Sequence, residues 1–308
     1  MATSILVDGF GGAETMRIAE FDDRMPGPGE VRIAVRAAGV NPIDFKIRNG
    51  WLSDVFPSTF PYVPGSEVAG VVDSVGSGVD GLAVGDGVVA IVPEGYATSA
   101  IAAVETVFAK PDGLSFVEAA AFPVAAEVGY RTMLQLSVSA GDVVVINGAG
   151  GPAGSAAAQF ALAFGAQVIG IVGRSTFDWM QNIGAIPVEY GDGVVERVAA
   201  VAPRGVDALL DCAGRGNLAE LVDIAGDPAK VITIADMSAP ALGIRFSGAE
   251  PGERNVEGVT KALELWTAGK MRIPVAATFP LGQAAEALAL SESGGAGGKL
   301  ILTVGELS

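Results

Sequence analysis

The stretch VVVINGAGGPAGSAAAQF, residues 143–160, decides the fold of this chain. It begins with four β-branched residues, passes through a turn with four glycines, and ends in small and apolar residues that suit a helix. The order strand, glycine turn, helix returns in the segments that start at Gln167 and Val206, and a further strand pattern starts at Lys230. The pattern predicts an α/β fold with a doubly wound parallel sheet of at least four strands.

The glycines of this turn indicate a phosphate-binding site. A pyrophosphate binds bare backbone N–H groups at a helix N-terminus, and a Cβ atom in its path would block it. A proline suits the first helical position, where its missing N–H group would have no partner in any case. The predicted cofactor-binding residues of the turn are Gly148, Ala149, Gly150, Gly151, Pro152, Ala153 and Gly154. The alternative is a tight turn that binds nothing.

The end of the second strand indicates which dinucleotide binds. An NAD site places Asp or Glu about 20 residues after the glycine turn, on the ribose hydroxyls. Here the strand ends in Gly173, Arg174 and Ser175, so the acid is missing and a cation is present. Arg174 can pair with a 2′-phosphate and Ser175 can donate a hydrogen bond, which favours NADPH over NADH. The alternative is a solvated loop arginine.

The composition excludes several kinds of site. The chain contains no histidine and one cysteine, Cys212, which rules out internal disulfides, Cys/His metal sites and Ser-His triads. A net charge of −16 disfavours nucleic acid and anionic membranes as partners. Because the uncharged apolar runs are too short to cross a bilayer and no secretory signal is evident, we expect a cytoplasmic protein. Its chemistry must come largely from a cofactor.

The first part of the chain has a different pattern. Short, nearly alternating apolar runs, such as VRIAVRAAGV from Val31 and VAGVVDSV from Val68, are separated by glycine and proline up to about residue 107. These runs predict a strand-rich domain. A helical pattern over residues 115–136 leads into the α/β part. The run GGKLILTV from Gly297 returns to strand character, so we expect the tail to rejoin the first domain.

Several motifs together resemble one family. They are VRAAGVNPIDFKIRNG from Val35, PYVPGSEVAGVVDSVGSGVDGLAVGDGV from Pro61, EGYATSA from Glu94, the glycine turn and GGKLILTV. In order and spacing they resemble the quinone oxidoreductase branch of the medium-chain dehydrogenase/reductase superfamily over nearly the whole chain. The resemblance implies a GroES-like domain of residues 1–123 and 273–308, a Rossmann NADPH-binding domain of residues 124–272, a cleft where they meet, and usually a homodimer.

The resemblance also bears on zinc. In the zinc alcohol dehydrogenases of this superfamily a Cys stands at the position of Asn41 and a His at that of Ser66, whereas Asp44 and Glu67 match. Both soft ligands are therefore replaced. The Cys-rich structural zinc loop has no counterpart after Pro93. We expect no zinc to polarise a substrate carbonyl.

Three residues take possible roles from the resemblance. Asn41 would lie beside the nicotinamide and donate its amide N–H to the substrate oxygen as an enolate develops; the alternative is an Asn-Pro turn whose side chain caps local backbone. Lys46 is a candidate for positive charge or for the proton donor, and the alternative is a solvated surface pair with Asp44. Tyr190 matches a family position near the phosphate of the adenine ribose.

The domain junction departs from the family pattern. Where related sequences often read PVAGLTA, this chain reads PVAAEVG, so the Thr that helps hold the nicotinamide is lost and Glu127 is introduced. A partly desolvated Glu127 would have a raised pKa suited to proton transfer. The alternative is an exposed glutamate on a helix surface.

These inferences predict an NADPH-dependent oxidoreductase that transfers hydride to a quinone or to an α,β-unsaturated carbonyl compound, an enone or enoyl thioester, without zinc. The residues do not separate these two activities. The alternative class is a protein that binds NADPH without turnover, as a sensor or a structural protein, because few conventional catalytic groups are present.

Overall fold

The computed structural model of this 308-residue chain describes residues 2–248, 252, 254–294 and 296–305. The chain forms two compact units. Unit 1 consists of the residues up to Val124 together with those from Ile273 onward, and unit 2 consists of Ala125–Arg272. None of the described helices is both long enough and apolar enough to cross a bilayer.

The strands of the described residues, in chain order, are β1 (Ala2–Val7), β2 (Met16–Phe21), β3 (Glu30–Val40), β4 (Glu67–Val75), β5 (Gly87–Ile91), β6 (Ser99–Ala103), β7 (Val107–Ala109), β8 (Val143–Asn147), β9 (Gln167–Val172), β10 (Ile186–Glu189), β11 (Ala208–Asp211), β12 (Val231–Thr233), β13 (Arg245–Phe246), β14 (Val275–Pro280) and β15 (Lys299–Thr303). The α-helices are α1 (Pro42–Arg48), α2 (Phe116–Ala119), α3 (Pro123–Gln135), α4 (Pro152–Ala163), α5 (Phe177–Asn182), α6 (Val194–Val201), α7 (Leu218–Ala225), α8 (Glu257–Thr267) and α9 (Ala284–Ser293).

Unit 1 is built on a mostly antiparallel sheet. Its strand order is β14, β15, β3, β4, β5, β7, and β6 also pairs with β3. The tail returns to this sheet, because β15 runs antiparallel to β3 with Leu300 opposite Val40. Alternating side chains of β3 and β4, among them Ile33 and Val72, fill the core of the unit. The predicted strand-rich domain completed by the tail is therefore confirmed.

Unit 2 is built on a parallel sheet with strand order β10, β9, β8, β11, β12, β13. Numbered from its own first strand, this is the order 3-2-1-4-5-6 of a doubly wound dinucleotide-binding sheet. All five residues of β8 are buried, as expected for a central parallel strand covered on both faces. The predicted doubly wound fold is confirmed.

The chain reverses its direction of strand addition next to β8. From β8 it adds β9 and β10 on one side, and it then crosses to add β11, β12 and β13 on the other. In such sheets, ligands bind outside the carboxyl ends of the strands at this switch point. The turn that follows β8 begins at Gly148, so the glycine-rich segment lies at the switch point.

The single helical pattern expected over residues 115–136 is wrong in one respect. The structure divides it into α2 and α3, because Pro123 begins a new helix and cannot continue the one before it. The break places the N-terminus of α3 inside unit 1, where Val124 donates a hydrogen bond to Glu67.

Candidate active site

The glycine turn after β8 uses three of its glycines in three different ways. Gly148 has a φ of 79°, which favours glycine. A Cβ on Gly154 would lie 2.4 Å from the carbonyl oxygen of Gly148, so helix α4 approaches the turn too closely for any side chain. Gly151 has an extended φ of −78°, and a Cβ there would lie 3.5 Å from the Gly148 oxygen, an ordinary contact. Only Gly148 and Gly154 of these three are required by the fold itself.

The packing of the protein does not require a glycine at position 151. The missing side chain of Gly151 therefore leaves the backbone open to a ligand. Gly151 is the N-cap of α4, so it offers no side-chain acceptor to the N–H groups of the first turn, and Pro152 follows as the first helical residue. The positive end of the helix dipole lies at the same place. The turn fits a dinucleotide pyrophosphate, and the three glycines match the roles of turn, close approach and helix packing.

A buried carboxylate fixes the base of this turn. Asp211, at the end of β11, accepts hydrogen bonds from Asn147 Nδ2 at 2.9 Å and from Thr233 Oγ1 at 2.8 Å. These three side chains come from the carboxyl ends of β8, β11 and β12, and all three are buried. Asp211 also accepts from the backbone N–H of Ala213 at 3.0 Å. Hydrogen bonds to Asp211 thus connect the end of β8, on one side of the switch point, to the ends of β11 and β12 on the other.

The other predicted cofactor residues of unit 2 lie just after the ends of β9 and β10, which are neighbours in the sheet. Gly173, Arg174 and Ser175 follow β9, and Tyr190 follows β10. The Tyr190 ring packs against Gly173, where a Cβ would lie 3.3 Å from Tyr190 Cε1. A Cβ on Gly150 would lie 3.1 Å from Thr176, so the glycine turn and the end of β9 are adjacent. The structure brings these residues to one edge of the parallel sheet.

The predicted phosphate-binding arginine has a partner. Arg174 Nε lies 2.9 Å from each carboxylate oxygen of Glu189, the last residue of β10. The hydrogen bond to Glu189 raises the pKa of Arg174, and the same contact lowers the pKa of Glu189. The side chains remain 79% and 38% exposed. The arginine is thus neither buried nor a lone solvated side chain.

In unit 1, Asn41 belongs to a buried polar group that we call the Glu67 cluster: Asn41, Asp44, Glu67, Tyr96 and Lys299. Asn41 Nδ2 donates to Glu67 Oε1 at 2.7 Å, and Lys299 Nζ donates to Asn41 Oδ1 at 2.6 Å and to Glu67 Oε1. Glu67 and Lys299 are 0% exposed. Both ends of the Asn41 amide are therefore held, and its orientation is fixed.

Four elements meet in the Glu67 cluster. Asn41 precedes α1 as its N-cap, Glu67 begins β4, and Lys299 begins β15. The second carboxylate oxygen of Glu67 accepts from the Val124 N–H at 2.8 Å, which places a negative charge at the N-terminus of α3. The charges compensate one another inside the protein, as buried ions require.

Asp44 joins the cluster through its Oδ2 atom. That atom accepts from the Asn41 backbone N–H at 2.9 Å and from Tyr96 Oη at 2.7 Å. Burial raises the pKa of Asp44 to about 6, and the Tyr96 hydrogen bond opposes this shift. Burial also raises the pKa of Tyr96. The alternative of a solvated surface pair is wrong for Asp44, because this residue is buried and accepts a hydrogen bond from the Tyr96 hydroxyl.

The three predicted catalytic residues are divided between the units. Asn41 and the half-buried Lys46 lie at α1 in unit 1, and Glu127 lies on α3 in unit 2. Glu127 Oε1 accepts from Arg131 Nε at 2.7 Å and from the Asn255 N–H at 2.9 Å. The alternative of an exposed surface glutamate is wrong, because Glu127 is buried. Its role in proton transfer stays a prediction. Through these contacts Glu127 connects α3 to the segment that precedes α8.

The sequence analysis did not identify several residues of the glycine turn, the coenzyme edge and the Glu67 cluster, among them Asp211, Glu189 and Lys299, nor the partner of Glu127, Arg131. Lys299 stands at the start of an apolar strand, and a lone charge in such a strand is a signal that can be read, since a buried charge needs a partner. Glu189 lies directly before Tyr190 in the motif PVEYGD. The spacing of Glu127 and Arg131, four residues apart on one helix, also predicts a pair.

Among the described residues, no three His, Cys, Asp or Glu side chains are grouped so as to hold a metal ion. At the position where the zinc relatives have a Cys, Asn41 supplies an amide that already bonds Glu67 and Lys299. Cys212 is a free thiol after β11, and burial raises its pKa.

Two family models match the chain. The alcohol dehydrogenase GroES-like domain matches residues 27–122, and the zinc-binding dehydrogenase model matches residues 183–302. The quinone oxidoreductase of Sus scrofa is 31% identical over 333 aligned positions, covering 98% of this chain and 98% of the relative.

Solved structures agree with the sequence matches. The quinone oxidoreductase from Coxiella burnetii is 26% identical with a TM-score of 0.87, covering 99% of each chain. A human synaptic vesicle membrane protein VAT-1 homolog-like protein is 27% identical with a TM-score of 0.86, covering 100% of this chain and 99% of that one. A nicotinamide cofactor and a small-molecule substrate follow from these relationships. The chain belongs to the quinone oxidoreductase branch of the medium-chain dehydrogenase/reductase superfamily, and it is an oxidoreductase of that type.

Proposed function

We propose that this chain is an NADPH-dependent reductase of quinones or of α,β-unsaturated carbonyl compounds, and that it works without zinc. The observation that carries the proposal is the glycine turn at the switch point of a sheet with the order 3-2-1-4-5-6, together with Arg174 just after the end of the next strand, β9. When bound, the reduced dinucleotide supplies the hydride. The protein must hold that cofactor and stabilise the charge that develops on the substrate oxygen.

The cofactor residues divide the binding task. The backbone N–H groups of Gly150, Ala153 and Gly154 would bind the pyrophosphate at the N-terminus of α4; Pro152 has no N–H group, and that of Gly151 donates to the Gly148 carbonyl oxygen. Arg174 and Ser175 would bind the 2′-phosphate, and Tyr190 would lie beside it. The adjacency of these segments at the ends of β8, β9 and β10 supports this division.

Asn41 is the proposed hydrogen-bond donor to the substrate oxygen. Its amide group carries two N–H bonds, and Glu67 accepts one of them. Lys299 fixes the carbonyl end, so the amide cannot flip and present its oxygen instead. A preorganised donor in a poorly hydrated environment stabilises a developing enolate or hydroquinone anion without reorganising during the reaction.

The absence of zinc is proposed from the donor set. The positions that match the Cys and His ligands of the zinc relatives hold Asn41 and Ser66, and the whole sequence contains no histidine. Glu67 already has a cationic partner in Lys299. A cytoplasmic location and a homodimeric assembly remain predictions of the sequence and of the family resemblance.

The proposed activity is tested with purified protein in two steps. Calorimetry with NADPH and with NADH measures coenzyme binding, and the loss of reduced-nicotinamide absorbance is then followed with a panel of quinones and enones. We expect NADPH to bind and at least one class of acceptor to be reduced. Tight NADPH binding with no turnover across the panel would favour the sensor alternative, and no binding of either coenzyme would refute the proposal.

The role of Asn41 is tested by Asn41→Ala. Loss of an oxyanion donor lowers kcat by about 10²-fold in other enzymes, and we expect a fall of that order with the Kd for NADPH unchanged. Asn49→Ala is a matched control, since Asn49 ends α1 and bonds Glu292 at 2.8 Å. A kcat for Asn41→Ala equal to that of the control would show that Asn41 does not touch the substrate oxygen.

A further inference from the structure

The carboxyl ends of β9 and β10 bring an acid to the arginine that would bind the coenzyme phosphate. The two strands are parallel neighbours, with Val172 level with Glu189. Besides the two contacts of Nε, Nη2 of Arg174 lies 2.8 Å from Glu189 Oε2. The Nε and Nη2 edge of Arg174, which would bind a phosphate, is therefore already hydrogen-bonded to the Glu189 carboxylate.

Glu189 is well placed to keep this contact. Arg197 donates from Nε and Nη2 to the backbone carbonyl oxygen of Glu189, at 3.1 and 2.7 Å, and so fixes the end of β10. The hydrogen bond from Arg174 lowers the pKa of Glu189, so the carboxylate is ionised at neutral pH. Because both side chains are partly or largely exposed, water and ligands reach the pair.

We propose that Glu189 is a specificity-determining residue for the coenzyme: its carboxylate competes with the 2′-phosphate for Arg174 and weakens the preference for NADPH over NADH. The inference rests on the proposed binding of the coenzyme at the glycine turn. The end of β9 has no acidic residue. Glu189, at the end of β10, supplies one at the same edge of the sheet.

The chemistry of the guanidinium supports the competition. Arginine recognises carboxylate and phosphate through the same planar fork of N–H donors, so Arg174 cannot bind both groups fully at once. A 2′-phosphate that takes Arg174 leaves Glu189 without this partner and places two anions side by side. NADH carries a hydroxyl at this position, so its binding displaces nothing from Arg174.

The test compares Glu189→Gln with Glu196→Gln. Both substitutions remove one negative charge, and Glu196 is exposed on α6, a short distance along the chain. Calorimetry at low salt gives the Kd for NADPH and for NADH. From the strength of exposed ion pairs we expect Glu189→Gln to lower the Kd for NADPH about two- to five-fold, with the Kd for NADH unchanged, and Glu196→Gln to change neither.

Three outcomes would overturn the inference. The first is a Kd for NADPH that is unchanged or raised in Glu189→Gln. The second is equal tightening of both coenzymes, since that would reflect total charge and not the 2′-phosphate. The third is that both the wild type and Glu189→Gln bind NADH but not NADPH. Only the third outcome also refutes the proposed coenzyme, so failure of the inference and failure of the proposed function are distinguishable.

Discussion

Two acid–base pairs of this chain differ in how far water reaches them. Glu67 and Lys299 in unit 1 are 0% exposed, whereas Arg174 and Glu189 in unit 2 are 79% and 38% exposed. A buried ion that loses its partner bears the full cost of desolvation, while an exposed one is rehydrated. The buried pair is therefore suited to hold the Asn41 side chain in one orientation. In the exposed pair, Arg174 can exchange Glu189 for a ligand.

The comparison is tested most strongly by Lys299→Met. The substitution leaves Glu67 buried without its cation, and breaking a buried pair in this way costs about 3–5 kcal/mol. Chemical denaturation measures the free energy of unfolding. The double variant Lys299→Met/Glu67→Gln removes both charges and should recover part of the loss. If the single variant proves as stable as the wild type, Lys299 does not act as a buried counter-ion.

A second prediction concerns the pH dependence of stability. The pKa of Asp44 is about 6 in the folded chain, above its ordinary value. Between about pH 4 and pH 6 the folded state keeps a proton that the unfolded state loses, so this residue makes the free energy of unfolding fall as pH rises through that window, by up to about 3 kcal/mol.

Asp44→Asn removes this contribution. An amide oxygen can accept the same two hydrogen bonds that Asp44 Oδ2 accepts from Asn41 and Tyr96. We expect the difference in unfolding free energy between variant and wild type to grow in favour of the variant from pH 4 to 6 and to stay constant above. Parallel curves over this range would contradict the raised pKa.

The third prediction concerns Glu127→Gln. Glutamine still offers an oxygen to Arg131 and to the Asn255 N–H, but the buried arginine loses its counter-charge, so we expect a destabilisation of about 2 kcal/mol. Because these two partners already hold the carboxylate, the pH profile of kcat should not change. The matched control is Glu264→Gln, which breaks the exposed pair with Lys261 and should leave stability unchanged. A shifted kcat profile in Glu127→Gln would support the proton-transfer role.

The order of elements in unit 2 and the two ion pairs differ in how far they can be predicted from the sequence. The order of elements in unit 2 is local information, because β-branched runs, glycines and small residues alternate along the chain. The break at Pro123 was equally local and was readable from the proline. By contrast, Arg174 meets Glu189 only because β9 and β10 pair in one register. Lys299 and Glu67 are 232 residues apart in the sequence, so their pairing is not evident from spacing.

The smallest expected effect on stability belongs to Arg174→Gln. Both partners of this pair are exposed, so water replaces the lost contact and the midpoint of thermal unfolding should equal that of the wild type. The same variant should lose its preference for NADPH, because the 2′-phosphate no longer finds a guanidinium. Raising the salt to about 0.5 M should weaken NADPH binding to the wild type more than to the variant. A variant that unfolds at a clearly lower temperature would show that this pair, like the one around Lys299, holds the fold together, and the contrast between the two pairs would fail.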